Sequence, residues 1–158
     1  MTPSVAGIQC VNRPVRFLPL VAGALLLHGT ARLAHAYTPA VDYALNCQGC
    51  HRADGTETPG SVPALAGSVA RFLAVPGGRE YLVQVPGVSQ APLDDAPLAA
   101  LLNWMLERFD AAHMPKPFVP YSAEEIGRLR KAPLTEVEGV RRKLLEAVER
   151  QARPAGGG

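Results

Sequence analysis

The amino-acid sequence predicts an all-α protein, and three observations carry that prediction. Apolar residues recur at helical spacing, most clearly where Leu98, Leu101, Leu102, Met105 and Phe109 share one face. Helix-start signatures precede the periodic runs, at Asp94, at Ser122-x-x-Glu125 and at Thr135-x-x-Glu138. Proline and glycine break the chain between these runs, and no pair of alternating segments flanks a hairpin turn.

Taken in order, a first helix runs from about Ala40 to the cysteines at Cys47 and Cys50. The stretch Ala53 to Gly67 (ADGTETPGSVPALAG), with three glycines and two prolines, reads as a loop. Ser68 is expected to cap a short helix through Leu73, which Pro76-Gly77-Gly78 breaks. Arg79 to Val85 forms a second short apolar helix, ended by Pro86-Gly87. Asp94 is expected to cap the strongest helix, about Asp95 to Phe109, with Pro97 in its first turn, where a missing N–H costs little. Ala111 to Tyr121 (AAHMPKPFVPY) holds three prolines and reads as an extended strap. The two capping boxes start helices to about Lys131 and about Gln151. In the last of these Val137, Val140, Leu144 and Val148 form an apolar stripe that is expected to pack against the core, with a partner-binding helix as the alternative.

The two ends of the 158-residue chain read differently from its middle. Arg13 and Arg16 precede an apolar run, Phe17 to Leu27, that is too short to span a bilayer as a mature helix, and Ala34-His35-Ala36 offers small residues for cleavage after Ala36. Residues 1–36 are therefore expected to be a secretory signal peptide that is removed, with a retained membrane anchor as the alternative. Three of the 16 basic residues (Arg13, Arg16, Arg32) and none of the 14 acidic ones fall in it, so the mature chain carries 13 against 14, a net charge of −1. A surface so close to neutral gives no support for nucleic-acid binding. Residues 153–158 (RPAGGG) are expected to be a disordered tail.

Cleavage also removes Cys10 and leaves Cys47 and Cys50, which belong to Cys47-Gln48-Gly49-Cys50-His51. A C-x-x-C-H sequence reads as a site of covalent haem c attachment. Two cysteines three positions apart on a helical turn point to neighbouring places on one face, so their sulfurs can reach the two vinyl groups of one porphyrin. The histidine next in sequence is carried to the iron. Gly49 leaves room for the porphyrin. A thioredoxin-like pair belongs beside a βαβ pattern, which is lacking here. Zinc needs about four ligands, and Cys47, Cys50 and His51 are too crowded for a usual set, with His113 the one further imidazole of the mature chain. A structural disulfide would have no use for the histidine.

On these residues the stretch from about Pro39 to Phe109 resembles a class I cytochrome c. Tyr43, four residues before Cys47, stands where that family often carries an aromatic near the haem edge. Pro63-Ala64-Leu65-Ala66-Gly67 resembles the family's P-x-L-x-G loop, and the helix with Trp104 resembles its C-terminal helix, which crosses the first. The resemblance implies a small cytochrome c-like helical domain around one covalent haem over residues 37–110, followed by a proline-rich strap and two-helix extension over 111–152. It implies that the Pro63 carbonyl accepts a hydrogen bond from the second ring nitrogen of His51, and that Trp104 packs near Tyr43.

The sequence departs from the family at the second iron ligand. The loop before the long helix, Val85 to Asp94 (VPGVSQAPLD), lacks the family's methionine, and Ala91-Pro92 stands where Met-Pro is expected. Met105 reads as core, and His113 and Met114 lie in the strap, beyond a helix of about 22 Å. The expectation is an open or water-filled position, with Met114, His113 and Met105 as the protein alternatives. The function implied is an exported, periplasmic electron carrier rather than an enzyme. It would pass single electrons between a dehydrogenase or cytochrome and a downstream acceptor, alone or as a subunit of a dehydrogenase complex, without stable membrane insertion. The alternative is a haem-based ligand sensor or peroxidase-like protein that uses an open iron.

Overall fold

Six helices and two 3-10 segments make up the described part of the chain, in the order the sequence leads one to expect. The structure is a computed structural model that describes residues 37–60 and 62–153. The expected signal peptide and the tail beyond residue 153 lie outside the described residues. Among the described residues there is no β-strand, only an isolated antiparallel bridge between Thr58 and Val62 in the loop.

Helix α1, Pro39–Asn46, starts where Thr38 accepts a hydrogen bond from the Val41 N–H and Pro39 supplies a pre-set first turn. A 3-10 segment, Val69–Ala74, leads through Gly77 (φ +82°) to α2, Gly78–Gln84, and α3, Pro86–Ser89. The long helix α4, Asp95–Asp110, is followed by a 3-10 turn, Ala111–His113, then the strap, α5 (Ala123–Leu129) and α6 (Val137–Ala152). The predicted apolar face of α4 is the buried one: Leu98, Leu101, Leu102, Met105 and Phe109 are all 8% exposed or less. Each such side chain contributes about 1.5–3 kcal/mol by leaving water. α1 crosses α4 through an aromatic cluster in which the Tyr43 ring lies 5.7 Å from Trp104 and 5.0 Å from Phe109.

Several local expectations are corrected. Ser68 precedes a 3-10 segment, and its hydroxyl donates back to the Ala64 carbonyl instead of capping. The first-turn N–H of Ala70, which has no partner inside a helix, is satisfied by the buried Asp110 carboxylate at 2.8 Å. α2 does end before Pro86-Gly87 as expected, but the loop that follows is not irregular throughout: proline sits well in a first turn, and Pro86 opens α3 within it. Asp94 occupies the cap position of α4 but makes no side-chain capping bond. At the last helix Glu136, not Thr135, is the capping residue, again without a side-chain bond. The chain is pinned just before it, where the Leu134 N–H donates to the Gln84 carbonyl at 2.9 Å. Ser122 does cap α5, accepting from the Glu125 N–H.

The strap returns along α4 rather than leaving the domain. Asn103 receives the Tyr121 N–H and donates to the Tyr121 carbonyl, and the Tyr121 hydroxyl donates to the Arg79 carbonyl. α6 then packs its stripe on the 3-10 segment and α2, with Leu144 buried and Val137, Val140 and Val148 partly so.

Candidate cofactor site

The turn after α1 builds the site from backbone hydrogen bonds. The N–H groups of Cys50 and His51 both donate to the Cys47 carbonyl, at 3.1 and 2.9 Å. This single turn brings Cys47, Cys50 and His51 to the wall of one cavity of about 1150 Å³. Apolar side chains of the 3-10 segment, α2, α3 and α4 line it, including Phe72, Leu82, Val88 and Met105, and α6 supplies Val137 and Leu145. The loop beside it is anchored at Gly55, whose carbonyl accepts from the Leu65 and Ala66 N–H groups.

Cys47 and Cys50 are free thiols. Burial, reinforced by the charges of Asp42 and Cys50, pushes the Cys47 thiol up to about 11. Reactive redox thiols are shifted the other way, so the electrostatics speak against a thioredoxin-like pair. Burial lowers the His51 pKa, which favours the neutral imidazole that binds iron. Among the described residues no group of three or more His, Cys, Asp or Glu side chains is placed to hold a metal ion by itself. The Tyr43 hydroxyl donates to the Arg52 carbonyl at 2.7 Å, and burial raises its pKa to about 12. This bond ties the aromatic cluster to the residue just after His51.

The residues fit a haem. One turn presents two thiols and a neutral imidazole to a largely apolar cavity. Nδ1 of His51 is buried and has no hydrogen-bond partner. The bond expected to the Pro63 carbonyl is therefore not formed in this structure, although Pro63 belongs to the same cavity wall. A metal-bound imidazole ordinarily donates its second nitrogen to such an acceptor. A Cβ on Gly49 would meet no protein atom within 4 Å, so packing against the chain does not explain this glycine.

The candidates for the second iron ligand separate. Met105 lines the cavity and is 5% exposed. His113 and Met114 do not line it. His113 is tied through Nδ1 to the buried Asp110 and faces a different hollow, with Arg71 and Val148. Ala91 is held in the α3–α4 loop by Arg130, whose guanidinium donates to the carbonyls of Ser89, Ala91 and Leu93. The pattern of residues gave no sign of this clasp, nor of α6 lining the cavity.

An all-α domain that presents C-x-x-C-H to a cavity of this kind has the build of a c-type cytochrome. Comparison with known proteins agrees. Two relatives named Cytochrome c-552, both from Thermus thermophilus, match the chain at 39% identity. One aligns over 141 residues, 77% of this chain and 94% of its own length. The other aligns over 118 residues, 62% of this chain and 90% of its own. No family model matches. The chain belongs to the class I c-type cytochromes, electron carriers with covalently bound haem c. Among the described residues no helix is long and apolar enough to cross a membrane.

Proposed function

We propose that this protein is an exported, periplasmic monohaem carrier that accepts single electrons from a dehydrogenase or another cytochrome and delivers them to a downstream acceptor such as an oxidase. The observation that carries the reading is the convergence of Cys47, Cys50 and His51 on one large apolar cavity. In this reading the two sulfurs hold the haem as thioethers, His51 binds the iron, and the Pro63 carbonyl orients the ring through Nδ1. The haem supplies one-electron chemistry when bound. The chain excludes water, fixes the proximal ligand and sets the potential. Residues 37–110 form the haem domain in this division, and the extension 111–152 encloses it through the strap and α6.

The placement of His113 and Met114 away from the cavity favours a second reading of the distal side, an open position that would suit a ligand sensor or peroxidase-like protein. Optical spectra of the reduced holoprotein with and without carbon monoxide, on the native chain and on Met105→Leu, separate the two. The carrier reading with Met105 as ligand expects slow or no carbon monoxide binding, and a changed spectrum in Met105→Leu. Rapid binding, with a spectrum that Met105→Leu leaves alone, contradicts it and favours the open site.

A further inference from the structure

We infer that Arg141 and Arg142, on α6, hold the two propionate groups of the haem; the inference rests on the haem reading of the cavity. Apart from His51, they are the cationic side chains that line it among the described residues. Glu57, Glu138, Glu146 and Glu149 also line it, and would repel carboxylates. A haem brings two carboxylates, and carboxylates drawn from water need a paired charge. A guanidinium offers the fork of donors that matches them.

The state of these arginines supports the assignment. Glu138 and Glu146 stand four residues either side of Arg142, at the spacing where helix-surface ion pairs form. Yet among the described residues neither Arg141 nor Arg142 forms a salt bridge or a side-chain hydrogen bond. The other arginines that reach into the fold are paired, Arg79 with Glu125 and Arg130 with Asp95. α6 is held in place by its own packing, with buried Leu144 set against Gly77, so the two guanidinium groups are carried by a fixed element. Vinyl groups and propionates occupy opposite edges of a haem. The thiols follow α1, which packs on α4, whereas the arginines are carried by α6, which packs on the 3-10 segment and α2 and has no thiol of its own.

The test is redox titration of the holoprotein at about pH 8, where carboxyl groups are ionised. The variants are Arg141→Gln, Arg142→Gln, the double variant, and Lys143→Gln as a control, because Lys143 is exposed and does not line the cavity. A cation beside the haem disfavours the oxidised form, which carries one more positive charge. Each arginine variant is therefore expected to lower the midpoint potential, the double variant further, while Lys143→Gln leaves it in place. Arg141→Lys, which keeps the charge, is expected to retain most of the native potential. The propionate vibrations in resonance Raman spectra should shift in the arginine variants alone. Arginine variants that move the potential no more than Lys143→Gln, in a protein whose haem is covalently bound, overturn the inference and leave the haem reading intact. A native chain without covalent haem defeats both.

Discussion

Cys47 lies at the C-terminal cap of α1, so its carbonyl is free to accept from both Cys50 and His51. That sharing is what turns a sequence motif into a site. Replacing Cys47 and Cys50 together by serine is expected to abolish haem that survives denaturing electrophoresis, and replacing one of them to weaken it, as read by in-gel haem staining. Gly55 is the residue on which the neighbouring loop depends. Its φ is +76°, and a Cβ there would fall 2.6 Å from the Phe109 ring, which its contacts with Tyr43 and Trp104 hold in place. Gly55→Ala is expected to cost about 2–4 kcal/mol through left-handed strain and overpacking, seen as a lower urea midpoint at unchanged slope. The C-x-x-C-H motif and Tyr43 were legible as residues because local spacing defines them. The partnerless Nδ1 of His51 was not, since the placement of Pro63 depends on how the loop closes over Gly55.

At the scale of elements, the extension is tied to the haem domain by two arginine contacts. Arg130, beside the end of α5, donates to Ala91 at 2.6 Å, Leu93 at 2.7 Å and Ser89 at 3.1 Å, and reaches Asp95 at 3.1 Å. Arg130→Gln leaves several carbonyls unpaired and is expected to cost about 2–4 kcal/mol, measured by chemical denaturation. The second tie joins Arg79 to both oxygens of Glu125, at 2.6 and 2.7 Å, with the Arg79 guanidinium 3.9 Å above the Tyr121 ring. Hydrogen bonding from Arg79 holds the Glu125 carboxyl below its ordinary value. A depressed carboxylate pKa contributes stability that is present above the unfolded value, about 4.3, and lost as pH falls through the folded value. The native protein is therefore expected to lose stability more steeply below about pH 4.5 than Glu125→Gln does, in melts across that range. The helices themselves were readable from periodicity and breakers. Asp94 was read correctly as the cap residue of α4, although its side chain makes no capping bond, whereas Thr135 was misread by one residue: Glu136 caps α6, just after the Leu134 N–H is pinned to the Gln84 carbonyl.

For the whole molecule, the cavity of about 1150 Å³ couples the cofactor to the fold. A covalently held haem stays on the chain when it unfolds, but its burial in this cavity and its ligation by His51 are made only in the native state and stabilise that state. The double cysteine variant prepared without haem is therefore expected to melt well below the holoprotein and to lose cooperativity, in thermal scans followed by circular dichroism. α6 belongs to this scale: its apolar stripe announced a packed helix, but only the folded chain shows that its neighbouring face, with Arg141, Arg142 and Leu145, closes the same cavity that Cys47 opens. The direct test of the central claim is intact mass spectrometry of the purified, denatured protein together with a thiol count. The account predicts one haem per chain, with Cys47 and Cys50 both consumed. A chain at its bare polypeptide mass, with two reactive thiols or a disulfide between them, would contradict it.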